Sequence, residues 1–154
     1  MCGICGEVRS RGEIALAELA EVNESMRARG PDASGVHAQG KFAFGHRRLA
    51  ILDLSTASAQ PLIDTELGLG VVFNGCIYNF RELRFELESK GYRFFSQGDT
   101  EVLLKAYHAW GPDCVKRFMG MFAFAIWERD SGRVVIARDR LGIKPLYYTE
   151  GNGF

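Results

Sequence analysis

Two thiols stand three residues apart at the start of the chain, Cys2 and Cys5 in the run MCGICGEV, with a glycine beside each. Such a pair suits metal ligation, thiol–disulfide exchange, or nucleophilic attack by one cysteine with the other incidental. A zinc site usually brings a second close-spaced pair of ligands. Here Cys76 and Cys114 stand alone, and His37, His46 and His108 show no ligand spacing, so no metal is expected. A thiol attacks only as thiolate, and a free cysteine is mostly protonated at neutral pH, so something must take its proton. At position 2 one base needs no other residue. Removal of Met1 exposes the cysteine's own α-amine, whose ordinary pKa of about 7.7–8.0 suits general base work near pH 7. The bland alternative makes Cys2 an early small residue, and position alone favours it.

Other residues able to do chemistry also have plainer explanations. Arg48 beside Arg47 reads as a solvated strand residue. Asn74-Gly75 is the commonest hairpin-turn pair. Asp99, ahead of a helical stretch, reads as an N-cap. Without further information each is the better reading.

The elements that must position these residues follow from the hydrophobic pattern. Residues 2–9 predict a short buried strand. Leu16, Leu19, Val22 and Met26 recur at three and four, predicting a helix over Glu13–Arg29 that Gly30-Pro31 stops. Strands are expected over Gly35–Ala38, Lys41–Leu54 and Leu69–Phe73, the last ending at Asn74-Gly75. Asn79-Phe80-Arg81-Glu82 has the form of a capping box opening a helix with Phe80, Leu83 and Leu87 on one face. Asp99 or Thr100 is expected to cap a further helix carrying Leu103, Tyr107 and Trp110. The run MFAFAIW (121–127) is apolar throughout, so both faces of that strand must be covered. Asp130-Ser131-Gly132 turns it into RVVIARD, and LYYT (146–149) is a last candidate strand. Covering both faces predicts an α+β layered sandwich of helix, sheet, sheet and helix, mainly antiparallel.

Composition bounds the rest. The 154 residues suffice for one domain with a real core, and 47% hydrophobic with 25% charged residues is an ordinary globular balance. Nineteen acidic residues cancel nineteen basic ones, so bulk charge offers nothing to nucleic acid or to an anionic membrane. No apolar run approaches the roughly 20 residues of a membrane span, and no charged-then-apolar signal layout opens the chain. A cytoplasmic setting with reduced cysteines is the expectation.

Eight stretches taken together resemble the glutamine-hydrolysing domain of the asparagine synthetase family, a class II glutamine amidotransferase with the N-terminal-nucleophile hydrolase fold. They are MCGICG, RGPDASG (29–35), HRRLAILDLS (46–55), AQPL (59–62), NGCIYN (74–79), GDTEVLL (98–104), GMFAFAIWERD (120–130) and ARDRLGIKPLYY (137–148). They span nearly the whole chain in the family's order. The resemblance implies the four-layer sandwich and the hydrolysis of L-glutamine to release ammonia. Cys2 matches the nucleophile and Arg48 the clamp on the substrate α-carboxylate. Asn74 and Gly75 match the oxyanion hole, and Asp99 the carboxylate that takes the α-ammonium. Cys5 and Cys114 match no role and read as packing residues.

The chain departs from the family at Cys76, where a second carboxylate for the ammonium is usual. The spelling NGCIYN resembles a subgroup assigned to N-acetylglutaminylglutamine amide synthesis, which would make the acceptor a dipeptide carboxylate rather than aspartate. Family members continue into a synthetase domain using ATP and Mg²⁺. Neither that family's serine-glycine-glycine phosphate loop nor GxxxxGK[ST] occurs here, so the chain is expected to be a fragment: a glutaminase domain over 1–154, without cofactor, partnered by a C-terminal synthetase domain. The resemblance also admits a homodimer. Two competitors remain open: a catalytically inactive glutamine-binding or docking domain, and a Cys2–Cys5 metal or redox module.

Overall fold

The computed structural model describes residues 1–151. Among the described residues, seven strands form two antiparallel sheets. In the first, β3 (Phe42–Arg48) lies between β1 (Gly3–Val8) and β2 (Ala33–Gln39). The second runs in the order β4 (Leu62–Asp64), β5 (Leu69–Ile77), β6 (Gly120–Glu128) and β7 (Val134–Arg138). Helix α1 (Leu16–Ser25) packs on β1 and β3, while α2 (Phe80–Ser89) packs on α3 (Asp99–Trp110), which in turn lies against β5. With β1 and β3 facing β5 across the middle, the layers are helix, sheet, sheet, helix.

The strand MFAFAIW shows how side-chain size sorts the layers. Successive side chains of a strand point to opposite faces. Phe122, Phe124 and Ile126 of β6 fill the large core under α2 and α3, together with Val71, Phe73, Leu83, Leu87 and Leu103. Ala125 and Trp127 face the other sheet, with Phe42 and Phe44 of β3 and Val72 of β5. The Phe42 and Trp127 rings stack at 3.8 Å between centroids. Alternating large and small residues let one strand sit in two cores.

Several elements differ from the expectations. Helix α1 starts at Leu16 and stops at Ser25, shorter than the apolar spacing suggests, with Leu16 and Val22 exposed. Strand β3 ends at Arg48, and residues 49–54 form a loop. The short strand β4 was hidden in the polar stretch before it. Residues 146–149 are not a strand; Tyr147 and Tyr148 are exposed there and pair with no strand among the described residues. Asn79 occupies the N-cap position of α2 but makes no cap bond. Its side chain instead donates to the Arg117 carbonyl at 3.0 Å and accepts from the Met119 N–H at 3.0 Å, tying α2 to the start of β6.

Candidate active site

Cys2, Arg48, Asn74, Gly75, Cys76 and Asp99 all line one cleft of about 310 Å³, at the end of the sandwich where β1, β3, β5 and α3 converge. The two N-terminal thiols part company. Cys2 Sγ accepts the Leu49 N–H at 3.4 Å and faces the Leu49 carbonyl at 3.7 Å, in the cleft. Cys5, within β1, lies against Gly45 and Asn23 under α1. Burial pushes its thiol up to about 11, and that of Cys114 to about 12. With Cys2 in the cleft just ahead of β1 and Cys5 under α1, the two thiols share no side for a metal knuckle or redox pair.

Strand alternation also sorts the two arginines. Arg47 points back under the sheet, where it donates to the Asn23 carbonyl at 3.0 Å and pairs with Glu24 on α1. Arg48 faces the cleft. Its guanidinium donates to the Ser55 carbonyl at 2.8 Å and to the Asp53 carbonyl, so it shapes the 49–58 loop while offering its remaining donors to the cleft. The Asp53 carboxylate binds the Ser58 hydroxyl at 2.6 Å, the Ser55 N–H at 2.9 Å and the Gln97 N–H at 2.9 Å. These bonds hold its carboxyl well below the usual range, the Ser58 hydroxyl most of all. The loop is thereby tied to the turn that precedes Asp99.

Asn74-Gly75 is not a turn: both residues sit inside β5, opposite Ala123 and Phe122. Their environment is nonetheless unusual for a strand interior. The Phe122 N–H donates to the Asp139 carboxylate and the Phe122 carbonyl accepts the Asp139 N–H on the far side, so the Gly75–Phe122 pair is not hydrogen-bonded and the Gly75 N–H points away from β6. On that outer edge β4 pairs only as far as Val71. The Phe73 N–H is taken by Gln60 Oε1 at 2.6 Å and the Ile77 N–H by Asp99 Oδ2 at 2.9 Å. Between them the Gly75 N–H has no partner among the described residues. Glycine is required there because an added Cβ would lie 2.3 Å from the Met121 carbonyl. The Asn74 side chain, 5% exposed and lining the same cleft, likewise finds no protein partner among the described residues. An unpaired N–H and an unpaired amide at adjacent positions can serve an oxyanion.

Asp99 is the first residue of α3, with Gly98 at the cap position. Burial raises its carboxyl to about 6, against the bonds from the Ile77 N–H and the helix N-terminus that favour the charged form. Cys76 lies near both Asp99 and Lys144, and burial raises its thiol, with Asp99 adding to the effect and Lys144 opposing it. Lys144, Tyr78, Asp53 and Ser58 also line the cleft and were not picked out from the sequence. A lysine in a glycine-containing turn carries no pattern that separates it from a solvated one.

The whole chain, residues 1–154, matches the glutamine amidotransferase domain family. It is 40% identical over 159 residues to the glutamine-hydrolysing asparagine synthetase 3 of Bacillus subtilis, aligning all of this chain with 26% of that protein. It is 38% identical over 149 residues to the glutamine-hydrolysing asparagine synthetase B of Escherichia coli, covering 96% of this chain and 26% of the relative. The chain thus spans about a quarter of the length of these relatives. Among solved structures, the glutamine phosphoribosylpyrophosphate amidotransferase of B. subtilis, complexed with ADP and GMP, superposes with a TM-score of 0.68 over 90% of this chain and 36% of that one; at 22% identity it shows a shared fold. No helix of the described residues is long and apolar enough to cross a membrane. With a family match along its full length and the same fold as a solved amidotransferase, the chain belongs to the glutamine amidotransferase domain family.

Proposed function

We propose that the domain hydrolyses the side-chain amide of L-glutamine at Cys2 and supplies the ammonia to an ATP-dependent amidation carried out by the remaining part of a longer protein. After Met1 is removed, the Cys2 α-amine takes the thiol proton and the thiolate attacks the amide carbon. Asn74 and the Gly75 N–H receive the oxyanion. The C–N bond breaks, ammonia leaves with the proton returned by the α-ammonium, and a thioester remains. Water, deprotonated by the same amine, then breaks the S–C bond to give glutamate. Arg48 holds the α-carboxylate and Asp99 the α-ammonium, with Cys76 supplying no second charge. This half reaction needs no cofactor; ATP and Mg²⁺ would serve the synthetase partner, which would select the acceptor, aspartate or a dipeptide carboxylate. A cytoplasmic setting that keeps Cys2 reduced belongs to the same reading.

The observation that carries it is the unpaired Gly75 N–H beside the unpaired Asn74 amide, in the cleft that holds the Cys2 thiol. An electrophilic glutamine analogue should add once per processed chain, at Cys2, and Cys2→Ala should abolish both labelling and ammonia release while keeping the fold. Label mapping to Cys5, or equal labelling of chains that retain Met1, would remove the assignment. Glutamine binding without ammonia release from the processed wild-type protein would leave the inactive-domain reading instead.

A further inference from the structure

Lys144 is 5% exposed and lines the cleft, yet it makes no ion pair among the described residues. Its Nζ donates to Met1 Sδ at 3.0 Å. A buried ammonium resting on a neutral thioether is a costly arrangement. The placement is enforced by the backbone. Asp139 accepts the Ile143 N–H at 2.8 Å, the Lys144 N–H at 2.9 Å and the Phe122 N–H of β6 at 3.1 Å, so the turn is pinned to the sheet behind the cleft. The partner of this ammonium is the residue whose removal activates Cys2. The Met1 sulfur is five bonds from the Cys2 nitrogen, which places the ammonium within roughly 9 Å of the amine that processing creates.

We propose that Lys144 is a positioning residue for the Cys2 α-amine: freed from Met1 by processing, its positive charge holds that amine neutral, and so competent as a base, near neutral pH. The proposal rests on the reading that the α-amine is the general base. A like charge disfavours the protonated amine. Across about 6–9 Å, at an effective dielectric between that of a protein surface and water, the shift is roughly half a unit to one and a half units downward. Other groups face the same end of the cleft. Arg29 donates to the Cys2 carbonyl at 3.4 Å, and Arg48 is bonded to the loop carbonyls. The Asp53 and Asp99 carboxylates are both occupied by N–H groups, and Cys76 and Tyr78 complete the lining. Lys144 is the cation in this set that processing releases.

The test is the pH profile of kcat at saturating glutamine, measured on the processed full-length protein as wild type, Lys144→Met and Lys144→Arg. Saturation pairs Asp99 with the substrate ammonium and keeps its titration out of the limb. In Lys144→Met the acid limb should move up by about half a unit to one and a half units, so that activity at pH 6.5 falls roughly 3- to 30-fold while the plateau near pH 9 is kept. Lys144→Arg should retain the wild-type limb, and Lys144→Gln supplies a second neutral variant should the methionine protein not fold. An unmoved limb, or an equal loss at every pH, would assign Lys144 a packing role only. Absence of ammonia release from the wild-type protein would overturn the underlying reading, and this proposal with it.

Discussion

Asp99 carries the clearest pH signature of any single residue in the cleft. Burial pushes its carboxyl up to about 6, well above the ordinary aspartate range. The folded chain therefore binds a proton there that an unfolded chain gives up earlier, and stability contributed by the protonated form is lost as pH rises from about 4 to about 6. Substrate binding runs the other way, because the ionised carboxylate is what attracts an ammonium. If only that form binds, KM for glutamine should fall about tenfold between pH 5 and pH 7, with a midpoint near 6. Asp99→Asn should raise KM and abolish its dependence on pH in this range. A wild-type KM that is flat over the same range would remove Asp99 from the ammonium subsite. Read as sequence, Asp99 is an aspartate at a helix start, and a cap is the simpler account. The structure gives that position to Gly98, because the Asp99 carboxylate is drawn away by the Ile77 N–H of a strand 22 residues earlier in the chain. No local pattern reports a partner at that separation.

At the scale of elements, the 49–58 loop is held from both ends, by Arg48 through its carbonyls and by the Asp53 carboxylate. A planar fork can grip two loop carbonyls and still present donors to a substrate carboxylate, whereas a single ammonium cannot. Arg48→Lys should therefore lower kcat/KM for glutamine by ten- to a hundredfold, about 1.5–3 kcal/mol, mainly through KM. A variant within twofold of the parent would place Arg48 outside the site. The strand over β3 was legible, but neither its end nor the face of Arg48 was: beside Arg47 it reads as solvated, and only the fold turns it to the cleft. Residues 49–54 are as apolar as the strand before them, and what bends them away is side-chain bonding to the backbone. Asn74-Gly75 misleads for the same kind of reason. Its composition favours a turn, but pairing with β6 on one side keeps it extended.

For the whole molecule, the four layers followed from one observation, a strand apolar on both faces. The sizes of its residues carry a further consequence. Phe124 is fully buried under the helices, and Phe124→Ala should cost about 3–5 kcal/mol in chemical denaturation. Ala125 is small because Phe42 and Phe44 approach from the other sheet, so Ala125→Leu should cost about 1–3 kcal/mol by forcing the sheets apart. The two should differ in function. The cleft is built from both sheets, so Ala125→Leu should lose more glutaminase activity than Phe124→Ala at temperatures where both remain folded. Equal losses in proportion to stability would show that the cleft tolerates changes in sheet separation.

The early end of β4 leaves the Gly75 amide without a partner among the described residues, and that gives the site a built-in isotope clock. In heavy water the Phe73 and Ile77 amides, bonded to Gln60 and Asp99, should exchange slowly, and the Gly75 amide between them should exchange fastest of the three. Once an acyl group or a glutamine-like electrophile is attached at Cys2 and its oxygen accepts that N–H, exchange at Gly75 should slow while its neighbours change little. A single resonance would then report occupancy of the oxyanion position directly, in solution and without turnover. A Gly75 amide already as protected as Phe73 in the free protein would mean that the strand edge is not open.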